Sequence, residues 1–257
     1  MSKVSRENKF LDLSDYGRKP AKLFAELLLN TRFTSIHVTF LFLLLGILAI
    51  FCILNQLFFA AFFLLILKSI MDAADGELSR IKNKPSLVGR YLDSNFDILL
   101  NFGFLYSIYS ITSNSLLIMV LAFFSMQLQG TLYNYYYTIL RNNIPGGDTT
   151  SRVQESGFPQ ALTGENQKLV NILFVSYKIM YGVFDNIIYV LDSSAKNVVA
   201  FPKWFMSLVS IYGLGFQLLI IGSLLITGYV EIILPFFIYY SVFILILIGI
   251  RKIFIVK

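Results

Sequence analysis

Apolar runs long enough to cross a bilayer recur along this chain, and that recurrence limits its possible folds more than any other feature. Roughly 20 predominantly apolar residues are needed to cover the hydrocarbon core as a helix. Six runs approach or exceed that length: 37–54, 57–78, 91–111, 116–140, 205–226 and 232–250. The 257 residues are 56% hydrophobic, with a mean hydropathy of +0.70, far outside the range of soluble domains. The sequence therefore predicts an all-α polytopic membrane protein with six transmembrane helices and additional interfacial helices on the cytoplasmic side.

Charge sets the expected orientation, because Lys and Arg collect in the cytoplasmic loops near span ends. Seven precede the first run, four separate the second from the third, six separate the fourth from the fifth, and three follow the sixth, leaving only Lys68 inside a span. The opposite connections, at 55–56, 112–115 and 227–231, contain none. Both termini are thus expected in the cytoplasm of a cell whose inner membrane the chain crosses repeatedly. The first thirty residues are polar and charged, which does not fit a cleavable signal peptide. The net charge of +6 lies beside the spans, where it suits anionic lipid headgroups rather than nucleic acid.

Segment 167–192 is also long enough to cross. A seventh crossing would put Arg251, Lys252 and Lys257 on the wrong side, and Asn171, Lys178, Asp185 and Asp192 recur every seven residues as a narrow polar stripe. That stripe predicts a helix lying at the cytoplasmic interface. Segment 20–29 reads similarly, with Pro20 in a first helical turn. Residues 141–164, rich in Gly, Pro, Ser and Thr, read as a loop. The chain divides into a cytoplasmic N-terminal segment, 1–34, and a six-helix domain, 35–257, whose loop and interfacial helix occupy about 141–204.

Cys52 is the only cysteine and His37 the only histidine, which excludes disulfide frameworks, thiolate clusters and histidine pairs. Cys52 reads as a small buried hydrophobe. Acid–base and metal chemistry must then fall to carboxylates. Acids inside spans cost about 2.5–3.5 kcal/mol each at mid-helix and by default mark function. Asp72 and Asp75 are three apart near the end of the second span, and Asp93 and Asp97 are four apart at the start of the third. Each pair shares a helix face, so two facing helices can aim four carboxylates into one pocket. Hard oxygen ligands of this kind select Mg2+, Mn2+ or Ca2+. Snorkelling or pairing with Arg80, Lys82, Lys84 and Arg90 would explain one acidic pair, but two pairs at matching depth point to a site. Lys68 lies four residues before Asp72 on the same face; it either neutralises a carboxylate, the preferred reading, or contacts substrate phosphate.

From Asp72 the sequence reads Asp-Ala-Ala-Asp-Gly-Glu-Leu-Ser-Arg, then eight residues to Gly89, three to Asp93 and three to Asp97. This resembles the signature of the CDP-alcohol phosphatidyltransferase family, D-x2-D-G-x2-A-R-x8-G-x3-D-x3-D, departing from it only in Ser79, which replaces the alanine. Thr34 to Thr39 resemble the family's Thr-Pro-Asn-x-Val-Thr opening of the first span, with Ser35 and Ile36 in place of Pro and Asn. The resemblance implies that Asp72, Asp75, Asp93 and Asp97 hold two divalent cations, Mg2+ or Mn2+. It further implies that Asp97 is the general base, that Gly76 and Gly89 admit the nucleotide and that Arg80 stabilises phosphate charge. Ser79, Lys68 and Arg90 are further candidates, and a homodimer is expected.

The resemblance also implies the reaction: a phosphatidyl group passes from CDP-diacylglycerol to the hydroxyl of a small polar alcohol, and CMP leaves. An alternative is transfer of phosphocholine or phosphoethanolamine from a CDP-aminoalcohol to diacylglycerol. Lys82, Lys84, Arg90, Arg141 and Arg152 are candidates for binding a phosphorylated acceptor. A cation transporter is the alternative from another class; it predicts charges spread through the membrane depth, whereas here they cluster at one face. A catalytically dead scaffold is disfavoured because all four aspartates are present.

Overall fold

The structure is a computed structural model that describes residues 10–142 and 157–255. Arg152, Lys257 and most of the loop expected over 141–164 lie outside the described residues. Within them the fold is all-α: α1 (Arg18–Leu27), α2 (Ser35–Leu54), α3 (Phe58–Ile81), α4 (Leu87–Ser110), α5 (Leu116–Asn142), α6 (Gln167–Leu191), α7 (Lys203–Val209), α8 (Leu214–Ile226), α9 (Ile233–Tyr240) and α10 (Val242–Phe254).

Local chemistry sets the boundaries that position the site. The Thr34 N–H donates to His37 Nδ1 at 3.1 Å, so the lone histidine closes the first turn of α2 in the manner of a capping box. Gln56, at φ 57°, reverses the chain after α2, with the Leu57 N–H donating to the Cys52 carbonyl at 2.8 Å. Asn83, at φ 50°, ends α3; asparagine tolerates that left-handed geometry. Ser86 then caps α4, accepting from the Gly89 N–H at 2.9 Å and satisfying a donor that helix geometry orphans.

Helix α2 packs against both α3 and α4, while α8 and α1 cover other faces of α3. Phe42, Leu65, Phe104 and Ile221 are fully buried where these helices meet. A second core, around Tyr136, Phe205, Val209 and Tyr212, joins α5 to α7 and α10. At one end of the bundle the α4–α5 turn meets the α8–α9 turn, with the Ser113 N–H donating to Glu231 Oε1 at 3.0 Å. At the other end Asp192, just after α6, accepts from Arg251 Nε and the Tyr136 hydroxyl, both at 2.7 Å.

Among the described helices, four are long and apolar enough to cross a membrane: 35–54, 116–142, 167–191 and 230–254. A fifth is the bent pair Lys203–Tyr212 and Leu214–Ile226, which turns by 50°. Helices α3 and α4, at 24 residues each, are long enough, but their lysine and aspartates lower their apolarity. The expected count of six is thus not reached by length and composition alone. The runs expected over 205–226 and 232–250 are each interrupted, the first by a 3-10 turn at Ser210–Tyr212 and the second at Ser241.

Helix α6 is apolar enough to cross, yet both its ends are tied to the same half of the bundle. Just before it, Glu165 accepts from Ser86 Oγ (2.7 Å) and the Val88 N–H (3.1 Å) at the start of α4. Just after it, Asp192 meets Arg251 near the end of α10. Between these ties Phe184 packs on Phe124 of α5, ring centroids 5.4 Å apart. The helix therefore runs obliquely over α4 and α5.

Candidate active site

Helical spacing puts Lys68, Asp72 and Asp75 on one face of α3 and Asp93 and Asp97 on one face of α4. Carboxylate oxygens of Asp72, Asp75 and Asp93 lie within 4.8 Å of one another. Asp75 is buried and accepts from Thr39 Oγ1 of α2 at 2.8 Å. Asp93 Oδ1 is buried with no hydrogen-bond partner. Three converging anions, one with an orphaned oxygen, would repel at this range unless cations sat among them. Because the donor set is all hard oxygen, a divalent cation of the Mg2+ or Mn2+ type fits these residues.

Asp97 is not in that triad. The fully buried Lys68 lies 3.1 Å from Asp72 Oδ2 and is ion-paired with Asp97 Oδ1, while its Nζ stands 4.7 Å above the Phe42 ring. Of the two sequence readings for Lys68, contact with carboxylates is the one observed. Through Lys68 the fourth aspartate is linked to the triad's Asp72, across the gap between α3 and α4.

The remaining signature residues are scattered around this centre. Arg80 folds back along α3, so that a side chain on Gly76 would meet its Nη1 at 3.5 Å, and its Nη2 lies 2.9 Å from Glu77 Oε1. Gly89 sits in the first turn of α4, where a Cβ would stand 3.3 Å from Ser86 Oγ. Ser79 donates to the Lys84 carbonyl at 3.1 Å and so braces the α3–α4 turn. The Arg90 guanidinium lies 4.9 Å over the Tyr91 ring.

A cavity of about 350 Å³ opens from the aspartates. Asp72, Asp93 and Asp97 form part of its wall, and Asn101 of α4 and Gln127 of α5 extend that wall. Both amides are 5% exposed, and Asn101 Oδ1 and Gln127 Nε2 have no hydrogen-bond partner. Arg18, Arg90 and Arg141 supply positive charge elsewhere around the cavity. The segment just before α1 contributes Asp12, Ser14, Asp15 and Gly17. Tyr16 belongs to the same segment and stands near Lys68 and Asp72. Burial, the largest influence on its phenol, pushes the pKa above its usual value, against opposing contributions from Ser69 and Lys68.

Sequence reasoning missed several of these residues. Asn101 carried a signal, since it stands four residues after Asp97 and so shares its helix face. Thr39 lies in the Thr34–Thr39 stretch at the start of the first span with no pattern that marks it as an Asp75 partner, and Gln127, Arg18 and Glu77 carry no local pattern.

Residues 33–154, spanning α2 to α5 and all four aspartates, match the family described as CDP-alcohol phosphatidyltransferase. This stretch is a CDP-alcohol phosphatidyltransferase domain. No curated protein and no solved structure matches the chain. Members of that family transfer a phosphatidyl or phosphoalkyl group from a CDP-linked donor to a hydroxyl acceptor in phospholipid synthesis. The N-terminal segment with Arg18 of α1, α6 (Tyr177, Tyr181, Asp185) and α8 (Leu214, Gly215, Gln217), which complete the cavity, lie outside the matched residues.

Proposed function

We propose that the protein transfers the phosphatidyl group of CDP-diacylglycerol to a hydroxyl of a small polar alcohol, releasing CMP at the cytoplasmic face of a cell membrane. The observation that carries this choice is the polarity of the cavity beside Asp97. Buried amides with unpartnered atoms, such as those of Asn101 and Gln127, would be costly against acyl chains but can bond an alcohol's hydroxyls. Diacylglycerol, the acceptor of the CDP-aminoalcohol branch, would bring hydrocarbon instead.

Asp72, Asp75, Asp93 and Asp97 would hold two divalent cations, Mg2+ or Mn2+, which when bound neutralise charge on the pyrophosphate. Asp97 takes the proton of the acceptor hydroxyl. The acceptor oxygen bonds to the phosphatidyl phosphorus, the bond from that phosphorus to the bridging oxygen breaks, and CMP departs with that oxygen. Lys68, held between Asp72 and Asp97, keeps Asp97 oriented and limits repulsion among the four acids. Thr39 fixes the Asp75 carboxylate, as outer partners commonly orient metal-ligating groups. Arg80 contributes a forked donor toward donor phosphate.

The test is CMP release by purified protein in proteoliposomes with Mg2+ or Mn2+. CDP-diacylglycerol is offered with glycerol 3-phosphate, serine or inositol phosphate, and CDP-choline is offered with diacylglycerol. Release from CDP-diacylglycerol that depends on one of the polar alcohols is expected. Release only from CDP-choline with diacylglycerol would transfer the protein to the other branch. Metal-dependent cation flux without CMP release would replace transfer by transport.

A further inference from the structure

One carboxylate oxygen gathers two arginines beside the site. Glu77 Oε1 accepts from Arg18 Nη1 at 2.9 Å and lies 2.9 Å from Arg80 Nη2, and the Glu77 side chain is only 7% exposed. Arg18 is also paired through its Nε with Asp15. Asp15, Arg18, Glu77 and Arg80 thus form a chain of alternating charge. It runs from the N-terminal segment into the signature on α3 and ends on the guanidinium that lies along Gly76.

The segment that supplies Arg18 is firmly seated. A side chain on Gly215 would collide with the Ser14 carbonyl oxygen, so the N-terminal backbone lies directly against the start of α8. The Leu13 N–H donates to Ser210 Oγ at 2.9 Å and the Tyr133 hydroxyl to Asp12 Oδ2 at 2.5 Å. Apart from Tyr133, the residues that make these ties lie outside the 33–154 match, and they fix Arg18 where it faces both the cavity and Glu77.

An arginine at the end of a helix has many rotamers, and only some of them lay its fork along Gly76. A carboxylate three residues earlier, itself held by a second guanidinium, selects among those rotamers before any ligand arrives, which is preorganisation. We propose that Glu77 is a positioning residue for Arg80, and that the N-terminal segment, through Arg18, holds Glu77 in place for that task. The inference rests on the proposed function, in which Arg80 meets the phosphates of the CDP donor.

The test is a double-mutant cycle on the full-length protein in lipid nanodiscs, reading the dissociation constant for CDP with Mn2+ present, so that no acceptor need be known. Glu77→Gln is expected to weaken CDP binding about tenfold, as is Arg80→Met, in keeping with loss of a charge-assisted contact. If Glu77 acts through Arg80, Glu77→Gln adds less than about twofold in the Arg80→Met background. The same tenfold loss in both backgrounds would make Glu77 a structural brace and overturn the inference while leaving the proposed function standing. Absence of CDP binding by the unaltered protein would overturn both. Arg18→Lys keeps the charge but loses the fork, so it runs the same cycle if Glu77→Gln does not fold; an effect independent of Arg80 again overturns the inference.

Discussion

At the scale of single residues, the site separates acids that converge from one held by a lysine. Asp72, Asp75 and Asp93 share a small volume, whereas Asp97 faces Lys68 and lines the cavity where an acceptor would sit. A base needs that placement more than it needs proximity to the other acids. Asp97→Asn keeps the shape and removes the basicity, so turnover should fall by about 10²–10⁴-fold, and because it also takes the negative charge from the buried pair with Lys68, the melting temperature should fall as well; near-normal CMP release would remove Asp97 as base. A change away from the chemistry behaves oppositely. A Cβ on Gly222 would stand 2.6 Å from Phe62 Cδ2 where α8 crosses α3. Gly222→Ala should therefore cost about 1–3 kcal/mol of stability through overpacking, seen as a lower thermal midpoint with the KM for donor unchanged.

At the scale of helices, α3 and α4 owe their arrangement to Lys68. Its ammonium group spans the two elements, pairing with Asp72 on its own helix and Asp97 on the other. Removing one partner of a buried pair leaves uncompensated charge, at a cost of about 3–5 kcal/mol. Lys68→Met should lower the thermal midpoint in EDTA, and added Mn2+ should recover more of it than it adds to the unaltered protein, because a bound cation stabilises by mass action and takes over the neutralisation. An equal Mn2+ increment in both proteins would show that Lys68 is not the counter-charge. The pairing itself was legible in the sequence, since a helix repeats every three to four residues and the acids obey that period. What the sequence hid is long-range. Arg18 and Glu77 are 59 residues apart, and Leu13 and Ser210 are 197 apart, so no local period connects them. Breaks inside apolar runs were hidden for a related reason: at Ser241 the interruption is bound to a distant partner, Gln129 Nε2 donating to Ser241 Oγ at 2.9 Å.

At the scale of the whole molecule, α6 decides how the chain threads the bilayer. Its length and apolarity allow a crossing, but a helix that crossed would deliver Asp192 to the end of the bundle where Ser113 meets Glu231. Instead Asp192 meets Tyr136 and Arg251 in the half that also holds the start of α4. A buried salt bridge of this kind fixes which half the segment occupies, because a lone Asp192 or Arg251 in apolar surroundings would be strongly unfavourable. Positive residues flank α6 on both sides, Arg141 before it and Lys196 and Lys203 after it, in accord with both flanks being cytoplasmic. Cysteine labelling checks this directly, since the native Cys52 is buried and should react slowly. Leu162→Cys and Lys196→Cys, at exposed positions before and after α6, should both react with a membrane-impermeant maleimide only in inside-out vesicles. Ser113→Cys, at the opposite end, should react only in right-side-out vesicles. If the Leu162 and Lys196 variants were labelled from opposite sides, α6 would be a crossing helix, and the sidedness assigned to α8, α9 and α10 would have to be reversed.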